Sequence, residues 1–293
     1  MRPDVFELVE YAKNHGIRTT FSTNGTLINK EMAKRIKSLG VGYVGISLDG
    51  LGDANDSFRG QTGAFDRALE GIRNCRDIDQ RVGLRFTINR YNLHDLENIF
   101  NLIKEEQIPR VCFYHLVYSG RGSTMIDHDI THQESRQAME LIINKAIELG
   151  DKCEILTVDN HADIVYLYLQ SLKQDSVRAG KIWELMQRNG GNRSGIAFAN
   201  VDPLGNVHPD QFTQNHTFGN VRERAIGEIW TDLTNPILAG LKDRKGLLKG
   251  RCSQCKWINV CNGNFRARAE AVSGDFWESD PACYLTDQEI GRV

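Results

Sequence analysis

From residue 5 to residue 150 the chain alternates two kinds of apolar pattern, and this alternation limits its fold more than any other feature. Helical spacing at Phe6, Val9 and Ala12 gives way to a strand-like run at 17–22, closed by the turn Thr23-Asn24-Gly25-Thr26. A helix at 30–39 stops at Gly40 and precedes a strand at 41–48, which ends at Asp49-Gly50. A polar loop at 52–63 follows; then Phe65, Leu69, Ile72 and Cys75 return to helical spacing, and Val82, Leu84, Phe86 and Ile88 alternate strictly. A helix through Leu96, Ile99, Phe100 and Ile103, a strand at 111–117, a loop at 118–122 and a helix at 133–149 bring the count to about four βα units. Strands separated by helices pair in parallel through right-handed crossovers, in a doubly wound sheet or a barrel. In either case the functional loops lie at the carboxyl ends of the strands, here 22–26, 47–50, 89–92 and 118–122.

Beyond residue 150 the rhythm changes. A strand-like run at 155–158 and a helix at 163–172 lead to a Gly/Asn loop at 189–195. A hairpin around Asp202-Pro-Leu-Gly-Asn206 and a short helix at 226–230 come next. The pattern divides the chain into 1–150, a connecting helical segment 151–194 and a terminal domain 195–293. With 36 Lys+Arg against 38 Asp+Glu there is no global basic field, so no nucleic-acid partner is expected. No apolar run reaches the length of about 18 residues that a membrane span needs. The charged first ten residues are unlike a signal peptide, and seven cysteines, an odd number, point to a reducing cytoplasm.

Four of those cysteines crowd the last 42 residues as C-x2-C-x5-C-x21-C: Cys252, Cys255, Cys261 and Cys283. Four thiolates can close the coordination of zinc or of an iron–sulfur cluster. A single C-x2-C pair with two lone partners departs from the double-knuckle zinc ribbon and favours a cluster. Cys75, Cys112 and Cys153 lack mutual ligand spacing and read as packing residues. His128 and His132 read as surface or capping residues, and His115 as a core histidine or a substrate contact at a strand end. His208 and His216 flank Asp210 and are either a site or solvated loop residues. Arg266 and Arg268, beside Glu270, are either a helix face with Arg–Glu pairs or a clamp for a substrate carboxylate.

Ser22-Thr-Asn-Gly-Thr26, then Ile46-Ser-Leu-Asp-Gly50 with Arg59-Gly60, resemble the third and fourth strands of a radical S-adenosylmethionine barrel. The terminal cysteine segment is similar to an auxiliary-cluster domain of the SPASM/twitch kind. Asn192-Arg-Ser-Gly, Val207-His-Pro-Asp-Gln and Asp280-Pro-Ala-Cys-Tyr-Leu resemble the tetrapyrrole subgroup of heme d1 biosynthesis radical SAM proteins and 12,18-didecarboxysiroheme deacetylases. The resemblance implies an α/β fold: a partial (β/α)6 TIM-like barrel lacking its first two βα units, then a small cysteine-rich domain. It implies S-adenosylmethionine and 4Fe-4S clusters as cofactors, an iron tetrapyrrole substrate and an electron donor such as ferredoxin or flavodoxin. The implied reaction removes acetate or propionate side chains by 5′-deoxyadenosyl radical chemistry. Ser47 and Arg59 would hold the methionyl carboxylate, Asn24 would shape the cofactor site, and the loop at 117–120 would lie by the adenine. Cys252, Cys255, Cys261 and Cys283 would bind one auxiliary cluster.

Two departures sharpen these expectations. Asp210 stands where larger relatives carry a cysteine, which leaves one auxiliary cluster and frees His208 and Asp210 for a substrate or iron contact. The C-x3-C-x2-C motif of the radical-generating cluster and the Gly-Gly-Glu-Pro segment do not occur in the 293 residues. The catalytic-cluster ligands are therefore unknown here, and the expectation is an N-terminally truncated chain that does not cleave S-adenosylmethionine alone. A zinc- or cluster-bearing binding module without catalysis, and a peptide-modifying SPASM enzyme, are the alternative readings.

Overall fold

The computed structural model describes residues Arg2–Arg292. These divide into two compact units: residues up to His115 with Gln137–Val158, and Leu116–Arg136 with the residues from Asp159 onward.

In the first unit the elements run α1 (Val5–Asn14), β1 (Phe21–Thr23), α2 (Lys30–Ser38), β2 (Val44–Leu48), α3 (Asp53–Arg59), α4 (Ala64–Arg76), β3 (Val82–Ile88), α5 (Leu96–Glu105) and β4 (Arg110–His115). Helix α6 (His132–Leu149) and strand β5 (Glu154–Val158) follow. The strands form one parallel sheet in the order β1-β2-β3-β4-β5. Its register runs from Phe21 opposite Val44 to Tyr114 opposite Val158. The alternation in β3 is realised as expected: Val82, Leu84, Phe86 and Ile88 are all buried, while Arg85 and Thr87 are half-buried. Ile72 from α4 and Ile99, Phe100 and Ile103 from α5 are buried too, and Phe113 of β4 stacks edge-on against Phe86 and tilted against Phe100. Such aromatic packing and apolar burial provide the main cohesion of the unit.

Several sequence expectations change. The polar loop at 52–63 contains α3, whose sequence Asp-Ala-Asn-Asp-Ser-Phe-Arg has no apolar stripe and buries only Asn55. Without that stripe, periodicity carries no helical signal. Strand β1 spans three residues rather than the run 17–22, and Ile17 is exposed. The run at 155–158, assigned to the connecting segment, is β5 and hydrogen-bonds to β4, so the sheet has five strands and continues past residue 150. Cys75, Cys112 and Cys153 are buried, as packing residues should be. Burial pushes the Cys75 and Cys153 thiols up to about 11, so they are poor nucleophiles.

The second unit carries α7 (Ala162–Gln174), α8 (Ser176–Asn189), β6 (Asn200–Val201), β7 (Asn206–His208), β8 (Gly219–Asn220), α9 (Ile226–Thr231) and α10 (Pro236–Lys242). The short helices α11 (Gly250–Ser253), α12 (Ile258–Cys261), α13 (Arg266–Ser273) and α14 (Asp287–Ile290) complete it. β6, β7 and β8 make the expected antiparallel hairpin and extend it by one strand. Val207, Phe218, Ile229, Leu238, Leu241 and Phe276 form a small core behind it. No described helix is long and apolar enough to cross a membrane.

Candidate functional sites

In the first unit, Asn24, Ser47 and Arg59 all belong to segments at the carboxyl end of the sheet. Asn24 follows β1, is exposed, and accepts from the Thr26 amide and hydroxyl at 3.3 and 3.1 Å. It lines a cavity of about 420 Å³ with Phe21, Thr26, Leu27 and Met32. Ser47, half-buried in β2, sits opposite Arg85. Arg59, in the last turn of α3, pairs with Asp49 at 2.5 Å, two residues beyond Ser47. Its Nε is buried with no hydrogen-bond partner, so one donor of the guanidinium is unused. Ser47 and Arg59 are thus brought to one strand end, while the cavity beside Asn24 has neither in its lining.

The sequence reading missed the asparagines that prop this end. Asn55 Oδ1 accepts from the Asp49 amide at 3.0 Å, and Asn92 Nδ2 donates to the Asp49 carbonyl at 3.0 Å. Both are buried, and both fix the peptide that presents Asp49 to Arg59. Asp56 accepts from the Gly63 and Phe65 amides, which ties α3 to α4 and sets where Arg59 emerges. An asparagine after strand β3 was visible in the loop at 89–92; Asn55 gave no signal because its helix gave none.

In the second unit, Cys252, Cys255, Cys261 and Cys283 line one cavity, with Val165, Trp257, Leu285 and Ile290 as apolar wall and Asp280 as its carboxylate. The loops carrying them are tied together by side chains. Arg251 donates to the Cys283 carbonyl at 3.3 Å and the Leu285 carbonyl at 2.5 Å, and pairs with Asp287 at 2.9 Å. Trp257 Nε1 donates to the Glu289 carbonyl at 2.8 Å. Glu289 closes a capping box with Thr286 and takes a bidentate pair from Arg136 at 2.8 and 2.9 Å. Cys261 ends α12 and is gripped from behind: the Asn192 amide donates to its carbonyl at 3.0 Å, and Asn262 Nδ2 donates to the Asn192 carbonyl at 2.7 Å. Burial pushes the Cys255 and Cys261 thiols up, and Cys283 to about 12. Buried thiols of this kind ionise when a metal takes the proton's place.

Four thiols around one cavity are a soft, all-sulfur donor set of the kind that ligates zinc or an iron–sulfur core.

The four side chains expected to touch substrate are committed elsewhere. His208 is buried; its Nδ1 donates to the His216 carbonyl at 3.0 Å and its Nε2 lies 3.4 Å from Asp202. The Asp202 carboxyl is held down to about 2, chiefly by Asn206, with His208 adding to the effect. Asp210 Oδ1 caps the Phe212 and Thr213 amides, each at 2.8 Å. Arg266, also buried, donates to the carbonyls of Gly263, Phe276 and Glu278. Arg268 is 0% exposed, bonded to Asp280 and to the Leu116 and Asp159 carbonyls. In place of an exposed clamp or loop site, the structure shows all four side chains buried and engaged in internal hydrogen bonds. Their polar spacing was legible, but burial is decided by segments far away in the chain. His216 pairs with Glu270 at 2.8 Å, and His132 donates to the Pro281 carbonyl at 2.7 Å, a bracing contact rather than a site. His115 is buried at the last position of β4.

Comparison with known proteins fits this architecture. The sequence model of the radical SAM superfamily matches residues 1–103. The chain is 55% identical over 297 residues to Fe-coproporphyrin III synthase of Methanosarcina barkeri, covering 99% of this chain and 74% of that protein. It is 40% identical over 299 residues to pre-heme d1 synthase of Dinoroseobacter shibae, covering 100% and 74%. Among solved structures, Streptococcus suis SuiB superposes with a TM-score of 0.73 at 18% identity, over 97% of this chain and 64% of that one. The anSMEcpe enzyme with bound AdoMet gives 0.68 at 16% identity, over 94% and 71%. These structures share the fold, and the sequence relatives narrow the group: the chain belongs to the radical SAM superfamily, in its tetrapyrrole-processing branch.

Proposed function

We propose that this chain acts in heme or heme d1 biosynthesis on an iron tetrapyrrole, removing acetate side chains from 12,18-didecarboxysiroheme. The observation that carries the reading is the 55% identity across 99% of the chain to Fe-coproporphyrin III synthase, against 40% to pre-heme d1 synthase. The chemistry S-adenosylmethionine would supply is a 5′-deoxyadenosyl radical, formed on reduction by a 4Fe-4S cluster with electrons from a ferredoxin- or flavodoxin-like donor.

The chain's own residues would bind and orient. The unused Nε donor of Arg59, held at the end of β2 by Asp49 two residues beyond Ser47, suits the methionyl carboxylate, because guanidinium forms charge-assisted hydrogen bonds with carboxylates. Asn55 and Asn92 would keep Asp49, and through it Arg59, in register for that contact. Cys252, Cys255, Cys261 and Cys283 would hold one auxiliary 4Fe-4S cluster in the apolar cavity they line.

No C-x3-C-x2-C lies within these 293 residues. The isolated chain, reconstituted with iron and sulfide, is expected to bind AdoMet and an iron tetrapyrrole without cleaving AdoMet. Joined to a segment that supplies a C-x3-C-x2-C motif, it is expected to release acetate under reducing, anaerobic conditions. Product mass decides: loss of propionate-derived mass, or turnover of a peptide instead, overturns the assignment.

A further inference from the structure

Three arginines of the second unit are buried, and they differ in how their charge is met. Arg268 has Asp280. Arg266 donates only to backbone carbonyls but feels Asp275 and Asp280. Arg244, 1% exposed, has no ion pair among the described residues. Its Nε donates to the Leu241 carbonyl at 3.2 Å, and Nη1 to Asn192 Oδ1 at 3.0 Å and the Asn262 carbonyl at 3.4 Å. Its Nη2 donates to the Ser194 carbonyl at 2.6 Å. Every acceptor is neutral. A guanidinium so satisfied in geometry but not in charge is costly to bury, unless an anion forms nearby.

Besides the unpaired field of Asp210, a second source of negative charge lies at the four-thiol cavity. Asn262, one of its acceptors, follows Cys261, and Asn192, another, holds the Cys261 carbonyl. Burial and the like charge of Arg266 work against the guanidinium, while the Asp210 carboxylate, which does not pair with it, and then the Cys261 thiol act in its favour. Burial lowers Arg244 to about 10, so it remains cationic at neutral pH. On the cavity's rim, Arg251 already has Asp287.

We propose that Arg244 is the built-in counter-charge of the four-thiol cavity, fixing the Cys261 segment and offsetting the negative charge of a thiolate-ligated cluster there. This rests on the iron–sulfur reading above. Four thiolates outweigh the charge of a 4Fe-4S core, and reduction adds one electron more, so a desolvated cation nearby favours the reduced form. Arg244 is a positioning residue: it acts on the cluster through Cys261 and through its field.

The test is anaerobic reconstitution of the full chain, wild type against Arg244→Met, Arg244→Gln and Arg244→Lys, with iron and acid-labile sulfide counted and the cluster titrated by electron paramagnetic resonance. All four are expected to take up a cluster. At a fixed ambient potential the reduced-to-oxidised ratio is expected to fall about tenfold in Arg244→Met and Arg244→Gln, a shift of about 59 mV for one electron. Arg244→Lys, which keeps the charge but not the fork, is expected to stay near wild type. An unchanged potential in a cluster-loaded neutral variant overturns the assignment, as does an equal drop in Arg244→Lys. If Arg244→Met does not fold, Arg244→Gln, with its amide donor, decides. A wild-type chain that takes up iron without sulfide, or zinc alone, removes the cluster reading itself and this assignment with it.

Discussion

Arg268 and Asp280 form an ion pair, 2.8 Å from Nη2 to Oδ2, with both side chains at 0% exposure. Arg268 also reaches the Leu116 and Asp159 carbonyls, and Asp280 also accepts from the Phe265 and Ala282 amides. Asp280 lines the four-thiol cavity three residues before Cys283, so the pair anchors the loop that delivers the last thiol. Removing one partner leaves an uncompensated buried charge, at a cost of about 3–5 kcal/mol. Asp280→Asn is therefore expected to lower the urea midpoint sharply, and Arg268→Met with Asp280→Leu to recover part of the loss. Burial pushes the Asp280 carboxyl up, but the Arg268 charge outweighs it and holds it below its ordinary value. The pair's stabilisation is thus full above the unfolded carboxyl's value and is lost as pH falls through the lower folded one. Acid titration of wild type against the double variant checks this.

A second pH effect belongs to His161. Its ring stacks on Phe265 at 6.1 Å, and burial lowers it from 6.5 to about 4, with Asp163, Arg268, Asp280 and Arg244 as the charges around it. Between those values the unfolded chain binds a proton that the folded chain does not. Stability therefore falls on acidification through this window, by at most about 1.4 kcal/mol per pH unit, and the effect saturates below the folded value. His161→Leu is expected to flatten that slope in denaturation measured from pH 7 to 4.

Gly191 has φ +73°, and a Cβ there would stand 2.2 Å from the Cys261 carbonyl carbon. Gly191→Ala must displace either the loop or the thiol-bearing helix end. The expected result is reduced iron and sulfide uptake with the parallel sheet intact by circular dichroism. Full cluster content in this variant would show that the close approach is dispensable.

Arg59→Lys keeps a cation beside Asp49 but loses the fork whose Nε has no partner. AdoMet affinity, measured by equilibrium dialysis on the isolated chain, is expected to fall about tenfold, the equivalent of one charge-assisted hydrogen bond. Asn55→Ala is expected to weaken it less, through a looser Asp49.

Cys261→Ser is expected to abolish the absorbance near ~400 nm that an iron–sulfur core gives and zinc does not. Cys75→Ser and Cys153→Ser, whose thiols are packed in the first unit, are expected to leave cluster content unchanged while lowering stability.

By itself the sequence determined the parallel α/β architecture, the hairpin, the three packing cysteines and the grouping of four thiols near the end. Each is a local pattern: strict alternation in β3, a helical stripe in α5, a C-x2-C step. Only the tertiary structure decided what the charged residues do. Arg266 and Arg268 read as a paired helix face or a carboxylate clamp, and His208 and Asp210 as a site or solvated loop residues; the fold buries all four. Arg244 carried no signal, yet it reaches residues 52 and 50 positions away at Asn192 and Ser194. Helix α3, without an apolar face, was hidden for the same reason that Asn55 was. Periodicity records what chain neighbours bury, whereas whether a charge meets an anion, a carbonyl or water depends on which distant segments close around it.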